Sequence, residues 1–321
     1  MAQVAQGSEM KMLWALGVLQ FYLAAADAES PKQASLKYQT INAVTLATND
    51  MAGSYAFYHT LGLNSTFGGP SSSFATFGSS GGPQGGDNSF HINLFSASAY
   101  KRPDDHKWNG WGRAIIYVND VDFVYHTAVS RGLHPEAAPA NAGWGERYFQ
   151  ILDPMGHELT MAKPLGQGTD LAPASQFQSI NAVTLATSNM STSFSFFKKL
   201  ALNCTFGSPS ADFTTFGSQG GPGGGDNSFH INIFTSKTFR RPAGGGWNGW
   251  GRAIFYVDDV DGIYHHALRQ GLQPEAAPAD ADWGERYFQI LDPMGHELTI
   301  AKPLGAPLDR AVGESLQYTV V

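Results

Sequence analysis

The stretch "GERYFQILDPMGHELT" occupies residues 145–160 and returns unchanged at 284–299. Two alternating stretches around a DPMG turn predict a hairpin of two strands. The stretches "INAVTLAT", "GDNSFHIN", "WNGWGRAI" and "PEAAPA" also recur, at a constant offset of 139 residues (180 minus 41). The chain therefore contains a tandem repeat of one long unit.

The repeat predicts the domain boundaries. We expect one domain over 38–165 and a second over 177–304, with a polar Gly/Pro linker at 166–176 and a C-terminal tail at 305–321. Residues 1–30 place a lysine before an apolar run that closes on Ala-Asp-Ala. That pattern is typical of a secretory or organelle-directing signal, and a hydrophobic anchor or packed helix is the alternative. Without such a signal, the expected location is the cytoplasm.

Composition limits the class of protein and its partners. With 321 residues, 42% hydrophobic and 15% charged, the chain is long and apolar enough for two folded globular domains. A net charge of −7 without any cluster of Lys and Arg argues against nucleic acid as a partner. The single cysteine, Cys204, excludes an intrachain disulfide and a cysteine-based metal cage.

Each copy divides again into two similar parts. "INAVTLATND" alternates as a half-buried strand does, and a helix is expected from a cap near Asp50 to a stop at Gly62. Two more strands precede a restart at "RAIIYVND", where Asp120 caps a second helix before the final hairpin. The order βαβββ therefore occurs twice per copy, which predicts the α+β class.

Three stretches carry a resemblance to a known family. "INAVTLATNDMAGSYAFYHTLGL", "RAIIYVNDVD" and "YFQILDPMGHELTMAKPL" resemble the first strand and helix, the middle strand and the last hairpin of the vicinal oxygen chelate superfamily. That group contains glyoxalase I, extradiol dioxygenases, fosfomycin-resistance enzymes and bleomycin-binding proteins. The resemblance implies tandem glyoxalase-like domains, each with two βαβββ modules in a cupped mixed sheet and helices outside. We expect each copy to close on itself as one such unit.

The resemblance also implies a divalent metal held by inward His, Gln or Glu side chains. The corresponding positions hold Ala43, Arg113 and Thr160 in the first copy, and Ala182, Arg252 and Thr299 in the second. Alanine has no donor atom, threonine is a weak neutral ligand, and a guanidinium cannot lose its proton to bind a cation. We therefore expect cups without the family's metal and without another cofactor.

Strand alternation indicates which side chains line the cups. The predicted ligand-binding residues are His91, Asn93, Arg113, Tyr117, Glu158 and Thr160, and in the second copy His230, Asn232, Arg252, Tyr256, Glu297 and Thr299. We expect Arg113 and Arg252 to anchor the ligands, and within the first copy His91, Asn93 and Thr160 to orient the ligand that Arg113 holds. Two structural alternatives remain open: His91 bonds a neighbouring strand, or Arg113 and Glu158 form an ion pair that closes the cup.

Tryptophans flank the glycine-rich segments near the expected rims of the cups. They are Trp108, Trp111 and Trp144, with Trp247, Trp250 and Trp283 in the second copy. Packing under loops and stacking on a flat ligand are the two interpretations. The neighbouring Glu146-Arg147 is interpreted as an exposed strand pair of little energetic consequence.

Three classes of function fit these residues. The first is binding of a small polar or anionic, partly aromatic molecule in two metal-free cups. The second is a lyase or an oxidoreductase of the dioxygenase type, with Glu158 and Glu297 as candidate general bases beside an arginine, or with a noncanonical metal held by His91 and Glu158. The third is a structural subunit that docks to a larger protein assembly.

Overall fold

A computed structural model describes residues 38–78, 90–98, 100, 108–110, 112–166, 177–217, 229–237, 239 and 247–304. The predicted signal segment at 1–30, the tail at 305–321 and the linker residues after Gly166 lie outside the described residues. None of the helices that the structure describes combines the length and the apolar character needed to cross a membrane.

Four βαβββ modules follow one another along the chain, and we name them A to D. Module A contains β1, α1, β2, β3 and β4 at Tyr38–Thr48, Met51–Leu61, Asn64–Phe67, Phe74–Gly78 and His91–Ser96. Module B contains β5, α2, β6, β7 and β8 at Gly112–Val118, Val121–Ser130, Ala140–Asn141, Glu146–Leu152 and Glu158–Pro164. Module C contains β9, α3, β10, β11 and β12 at Phe177–Thr187, Met190–Lys199, Asn203–Phe206, Phe213–Gly217 and His230–Thr235. Module D contains β13, α4, β14, β15 and β16 at Gly251–Val257, Val260–Arg269, Ala279–Asp280, Glu285–Leu291 and Glu297–Pro303.

The predicted α+β class and the repeated module order are confirmed, and so are the helix limits. The Asp50 side chain accepts a 2.9 Å hydrogen bond from the Gly53 amide at the start of α1. Gly62 ends that helix in the left-handed region, at φ 108°, where a residue without a Cβ is least strained. Asp120 caps α2 in the same way, through the Phe123 amide at 2.9 Å.

The modules pair across the two copies. Strand β1 of module A runs antiparallel to β13 of module D, and β5 of module B runs antiparallel to β9 of module C. Both pairings belong to one 16-stranded sheet, because β1 and β9 also pair with each other at Ile41 and Ile180. We call the half that modules A and D form cup AD and the half that modules B and C form cup BC. The prediction that each copy closes on itself is wrong. Modules B and D have almost the same sequence, so their first strands, β5 and β13, could each pair with β1. The sequence alone therefore does not show which of the two is the partner of β1.

Two glycines allow the closest approach of these paired strands. A Cβ on Gly251 would lie 2.0 Å from the carbonyl oxygen of Thr45, and one on Gly112 would lie 2.5 Å from that of Thr184. Any side chain at either position would collide with backbone rather than with a movable group. The glycine of each "WGRAI" stretch is therefore required where two modules join.

Alternation along the joined strands separates the core from the cup. In β5, Ala114, Ile116 and Val118 are buried beneath the helices. Arg113 and Tyr117 are half-buried and lie on the opposite, concave face. Burial of the first set stabilises the fold, with about 25 cal/mol for each Å² of apolar surface removed from water. The second set is left to line the cup.

The DPMG hairpin of module B reaches the other cup. Met155 at its tip is buried in a cluster beside cup AD, together with Ala47, Phe95, Ala97, Tyr100 and Trp247. The matching Met294 of module D packs beside cup BC, against Ala186, Phe234 and Phe239. Each hairpin therefore links the two cups. Its second strand carries the glutamate of one cup, and its tip packs beside the other cup.

A buried polar network fixes the hairpin of module B. Asp153 accepts from the Tyr58 hydroxyl at 3.0 Å, and its Oδ2 lies 2.9 Å from Nδ1 of His157. The other ring nitrogen of His157 lies 3.1 Å from the backbone oxygen of Trp250, which precedes cup AD's arginine by two residues. His157 is thus a structural hairpin residue.

Replacing Tyr58 with phenylalanine should lower the free energy of unfolding by about 1–3 kcal/mol, because it removes a donor from a buried carboxylate. Chemical denaturation followed by circular dichroism measures the change. Tyr55→Phe is the matched control, since Tyr55 lies on the same helix and its hydroxyl has no hydrogen-bond partner among the described residues. Equal stability of the two variants would contradict this role for Tyr58.

Candidate functional site

Two rows of side chains cross the concave face of cup BC, held side by side on neighbouring strands. The first row contains Asn232, Thr184, Arg113 and Glu158. The second row contains His230, Ala182, Ile115 and Thr160. Cup AD repeats them as Asn93, Thr45, Arg252 and Glu297, followed by His91, Ala43, Ile254 and Thr299. The two cups therefore present the same chemistry.

This pairing redistributes the predicted site residues. His91 and Asn93 share a cup with Arg252 and Glu297, whereas His230 and Asn232 share one with Arg113. The expectation that His91 orients a ligand held by Arg113 is therefore wrong. It failed because it assumed that each copy closes on itself. All twelve predicted side chains still lie on modules that form the cups.

Each cup contains an arginine beside a glutamate. The Nε atom of Arg113 lies 2.7 Å from Oε1 of Glu158, but its N–H is not aligned with that oxygen, so the contact is an ion pair without a proper hydrogen bond. The equivalent distance for Arg252 and Glu297 is 2.5 Å. The Arg113 side chain is 28% exposed and Glu158 only 6%, so the guanidinium faces the cup while the carboxylate lies behind it. The predicted Arg113–Glu158 ion pair is present.

Burial changes the acidity of these glutamates. It raises the pKa of Glu158 to about 7, while the charge of Arg113 acts in the opposite direction and Glu136 adds to the rise. The Gln150 amide supports the carboxylate by donating to Oε1 at 2.7 Å. Burial also raises the pKa of Glu297. Glu158 can therefore exchange a proton close to neutral pH.

The two cup histidines, His91 and His230, are both buried. His91 and His230 are each 5% exposed, and neither ring nitrogen of either residue has a partner among the described residues. The alternative that His91 bonds a neighbouring strand is therefore wrong. Burial lowers the pKa of both imidazoles and keeps them neutral. The hydroxyls of Thr160 and Thr299 are also buried without a partner in this part of the chain.

An aromatic wall adjoins each arginine. In cup BC, the rings of Trp108 and Phe234 stack with centroids 5.6 Å apart, and Cζ of Arg113 lies 5.7 and 5.8 Å from them. Phe213 pairs with Phe234 on the next strand, and its ring lies 6.4 Å from that of Phe206, which is 64% exposed. Cup AD has the same wall at Phe67, Phe74, Phe95 and Trp247.

The other tryptophans differ from one another. Trp250 is 1% exposed and packs in the core, whereas Trp144 and Trp283 are largely exposed. Trp111 lies outside the described residues. Packing therefore explains Trp250, and the remaining described tryptophans line or border the cups.

Glu146 belongs to the cup, although its neighbour Arg147 does not. The interpretation of Glu146-Arg147 as an exposed strand pair is wrong, because Glu146 is 8% exposed. It accepts from the Tyr117 hydroxyl at 2.5 Å and from Nε1 of Trp144 at 2.8 Å. Arg147 instead pairs with Asp122 on α2. The alternation of "ERYFQIL" places Glu146, Tyr148 and Gln150 on one face, so the sequence contained the signal.

A metal site in either cup would need side chains that can bind a metal to lie close together. Within the ranges that the structure describes, no group of three or more His, Cys, Asp or Glu side chains is arranged to hold a metal ion. In cup AD, the three positions that correspond to the family's metal ligands hold Ala43, Arg252 and Thr299. An arginine between an alanine and a threonine does not fit a cation.

Comparison with known proteins identifies the fold. The family model described as Glyoxalase/Bleomycin resistance protein/Dioxygenase superfamily matches residues 40–161 and 179–300. The crystal structure of glyoxalase I from Zea mays superposes with a TM-score of 0.59 at 14% identity, over 84% of this chain and 94% of that one. This likeness concerns the fold alone.

Two curated relatives match a short stretch of sequence. Uncharacterized proteins of Mycobacterium bovis and Mycobacterium tuberculosis are each 38% identical over 48 residues, which is 15% of this chain. The match spans 32% and 28% of the lengths of these relatives.

Proposed function

The chain belongs to the glyoxalase/bleomycin resistance protein/dioxygenase superfamily, and from that premise we propose that each cup binds a small polar or anionic, partly aromatic molecule. The proposal rests on the buried polar atoms that have no partner among the described residues and that lie beside a partly exposed arginine. Leaving such atoms unbonded costs about 1–3 kcal/mol each, and a ligand with several oxygens would satisfy them. The aromatic wall supports an aromatic part.

We also propose that the ligand is bound without the family's metal. The support is chemical: the side chains at the family's ligand positions offer no set of anionic or imidazole donors, and a guanidinium in their place repels a cation. The roles of a metal in holding and polarising a ligand would then pass to Arg113 and Arg252, whose fixed charge suits oxygen anions.

A second candidate function is acid–base catalysis in the same cups. It is favoured by the pKa of Glu158 near 7, which suits proton transfer at neutral pH. Arg113 would stabilise negative charge that develops on a bound oxygen. We prefer binding as the function because it requires only the buried polar atoms that lack partners among the described residues. Catalysis also requires a substrate with a labile proton near Glu158.

Native mass spectrometry of the purified protein, combined with elemental analysis, tests the proposal. The expected result is up to two small organic molecules per chain and no stoichiometric transition metal. One Zn, Ni, Mn or Fe per cup would contradict metal-free binding, if it were lost from cup AD on changing residue 43, 252 or 299 and from cup BC on changing residue 113, 160 or 182.

Anion affinity should depend on pH through Glu158. Below its pKa of about 7 the carboxyl is protonated and neutral, and above it the carboxylate competes with the ligand for Arg113. If only the protonated form binds, affinity for benzoate should fall about tenfold per pH unit above that pKa. Calorimetry across neutral pH measures the fall. Glu158→Gln combined with Glu297→Gln should give a flat profile, and a flat profile in the parent would contradict this dependence.

A further inference from the structure

Each cup contains a second glutamate, apart from the one beside its arginine, that has no cationic partner among the described residues. Glu146 in cup BC is 8% exposed and forms no ion pair with any described residue. Its counterpart in cup AD, Glu285, is half-buried and also lacks such a pair. Glutamates are rarely buried unless a cation accompanies them, because removing an unpaired charge from water is costly. Glu158 obeys this rule through Arg113, whereas Glu146 does not.

Neutral donors hold the Glu146 carboxylate in place without neutralising it. One oxygen accepts from the Tyr117 hydroxyl and the other from Nε1 of Trp144. Glu285 is held by Tyr256 and Trp283 in the same way. The carboxylate influences both Tyr117 and His230. A protonated tyrosine is neutral, and burial lowers the pKa of the His230 imidazole, which disfavours its positively charged form.

Aromatic side chains adjoin the carboxylate of Glu146. We call Tyr117, Trp144, Glu146 and Tyr148 the rim cluster of cup BC. The rings of Trp144 and Tyr148 lie 5.4 Å apart at 36°, and Trp144 is 62% exposed. In cup AD the rim cluster is Tyr256, Trp283, Glu285 and Tyr287, where the corresponding rings lie 5.3 Å apart at 37°. The arrangement is thus present twice with nearly the same geometry.

A carboxylate held beside an exposed indole is an arrangement that can recognise organic cations. We propose that each rim cluster is a binding subsite for an ammonium group, either a protonated amine or a quaternary ammonium. An inorganic cation fits less well, because hard cations require several oxygen ligands and the rings offer none.

The subsite deepens the proposed function, since it assigns a second charge to the ligand of the same cup. Arg113 and Tyr117 lie four residues apart on β5, which corresponds to roughly 13 Å along the strand. A ligand that reaches both ends would carry an anionic group at the arginine and an ammonium group at the rim. The apolar part between them would lie across Ile115 on the strand between.

Titration with tetramethylammonium chloride tests the subsite in the whole protein. Saturation-transfer NMR of the methyl groups and tryptophan fluorescence report binding, with potassium chloride at equal ionic strength as the salt control. We expect saturable binding in the parent and at least about tenfold weaker binding in Glu146→Gln combined with Glu285→Gln. The exposed carboxylates Glu136 and Glu275 provide the matched control, and their change to glutamine should leave binding unaltered.

The outcomes separate this subsite from the proposed anion site. Trp144→Ala combined with Trp283→Ala changes exposed residues and should also weaken binding, which guards against misfolding of the glutamine variant. An equal response to potassium, or unchanged binding in both rim variants, would overturn the subsite. Benzoate reports the arginine end independently. If the parent binds tetramethylammonium but not benzoate, the proposed function fails and the ammonium subsite stands.

Discussion

Replacing Arg113 with methionine should remove anion binding from cup BC and leave cup AD intact. Methionine keeps a long side chain but loses the guanidinium that lies beside Glu158 and the aromatic wall. Truncating one member of a buried charged pair in a binding site costs about 2–5 kcal/mol of affinity. Calorimetry with benzoate should show the stoichiometry falling from two to one per chain. Arg147→Met, which removes an arginine outside the cup, is the control.

A second variant separates ligand binding from a purely structural role for Arg113. If the pair only closes the cup, Arg113→Met should lower stability by about 3–5 kcal/mol, because Glu158 is left buried and unpaired. Adding Glu158→Gln should restore much of that stability while binding stays lost. A double variant that binds benzoate as well as the parent would show that Arg113 is not the anchor.

The same experiment reports which residues share a cup. Changing His230 to phenylalanine in the Arg113→Met background should cost little further binding, because both changes affect cup BC. Changing His91 instead should weaken the remaining site, which lies in cup AD. The reverse pattern would mean that the modules pair within each copy.

The second large effect concerns fragments of the chain. Residues 36–166 contain modules A and B, whose first strands lose their long partners β13 and β9. We expect this fragment to be unfolded as a monomer and folded only as a dimer, in which β1 of one fragment pairs with β5 of the other. Light scattering with near-UV circular dichroism measures both properties.

A complementary fragment provides the contrast. Residues 108–237 contain modules B and C and keep the whole β5–β9 junction, so this fragment should fold as a monomer with one cup. A folded monomer of residues 36–166 would contradict the exchange of modules between copies.

Local patterns in the sequence were enough to predict the elements and the inward faces. The alternation of β5 placed Arg113 and Tyr117 on the concave side, and the capping residue Asp50 marked a helix start. The same alternation would have placed Glu146 in the cup, but its neighbouring arginine suggested a surface pair instead.

Other features depend on partners that no local pattern identifies. The choice of β13 rather than β5 as the partner of β1 is not readable from two nearly identical copies. The lack of partners for the His91 ring among the described residues depends on which side chains of the adjoining strands β1 and β3 reach the imidazole. Whether a buried polar group finds a hydrogen-bond partner is decided by the assembled sheet and not by the residue itself.

The exchange of modules between copies also makes the cups independent of protein concentration. Two separate chains that built the same cups would lose them on dilution, since a dissociation constant would set how many sites exist. Here both partners of each junction belong to one chain, so each meets the other at the high effective concentration that a tether provides. The number of complete sites per chain should therefore stay the same in a dilute cell compartment and in a concentrated sample.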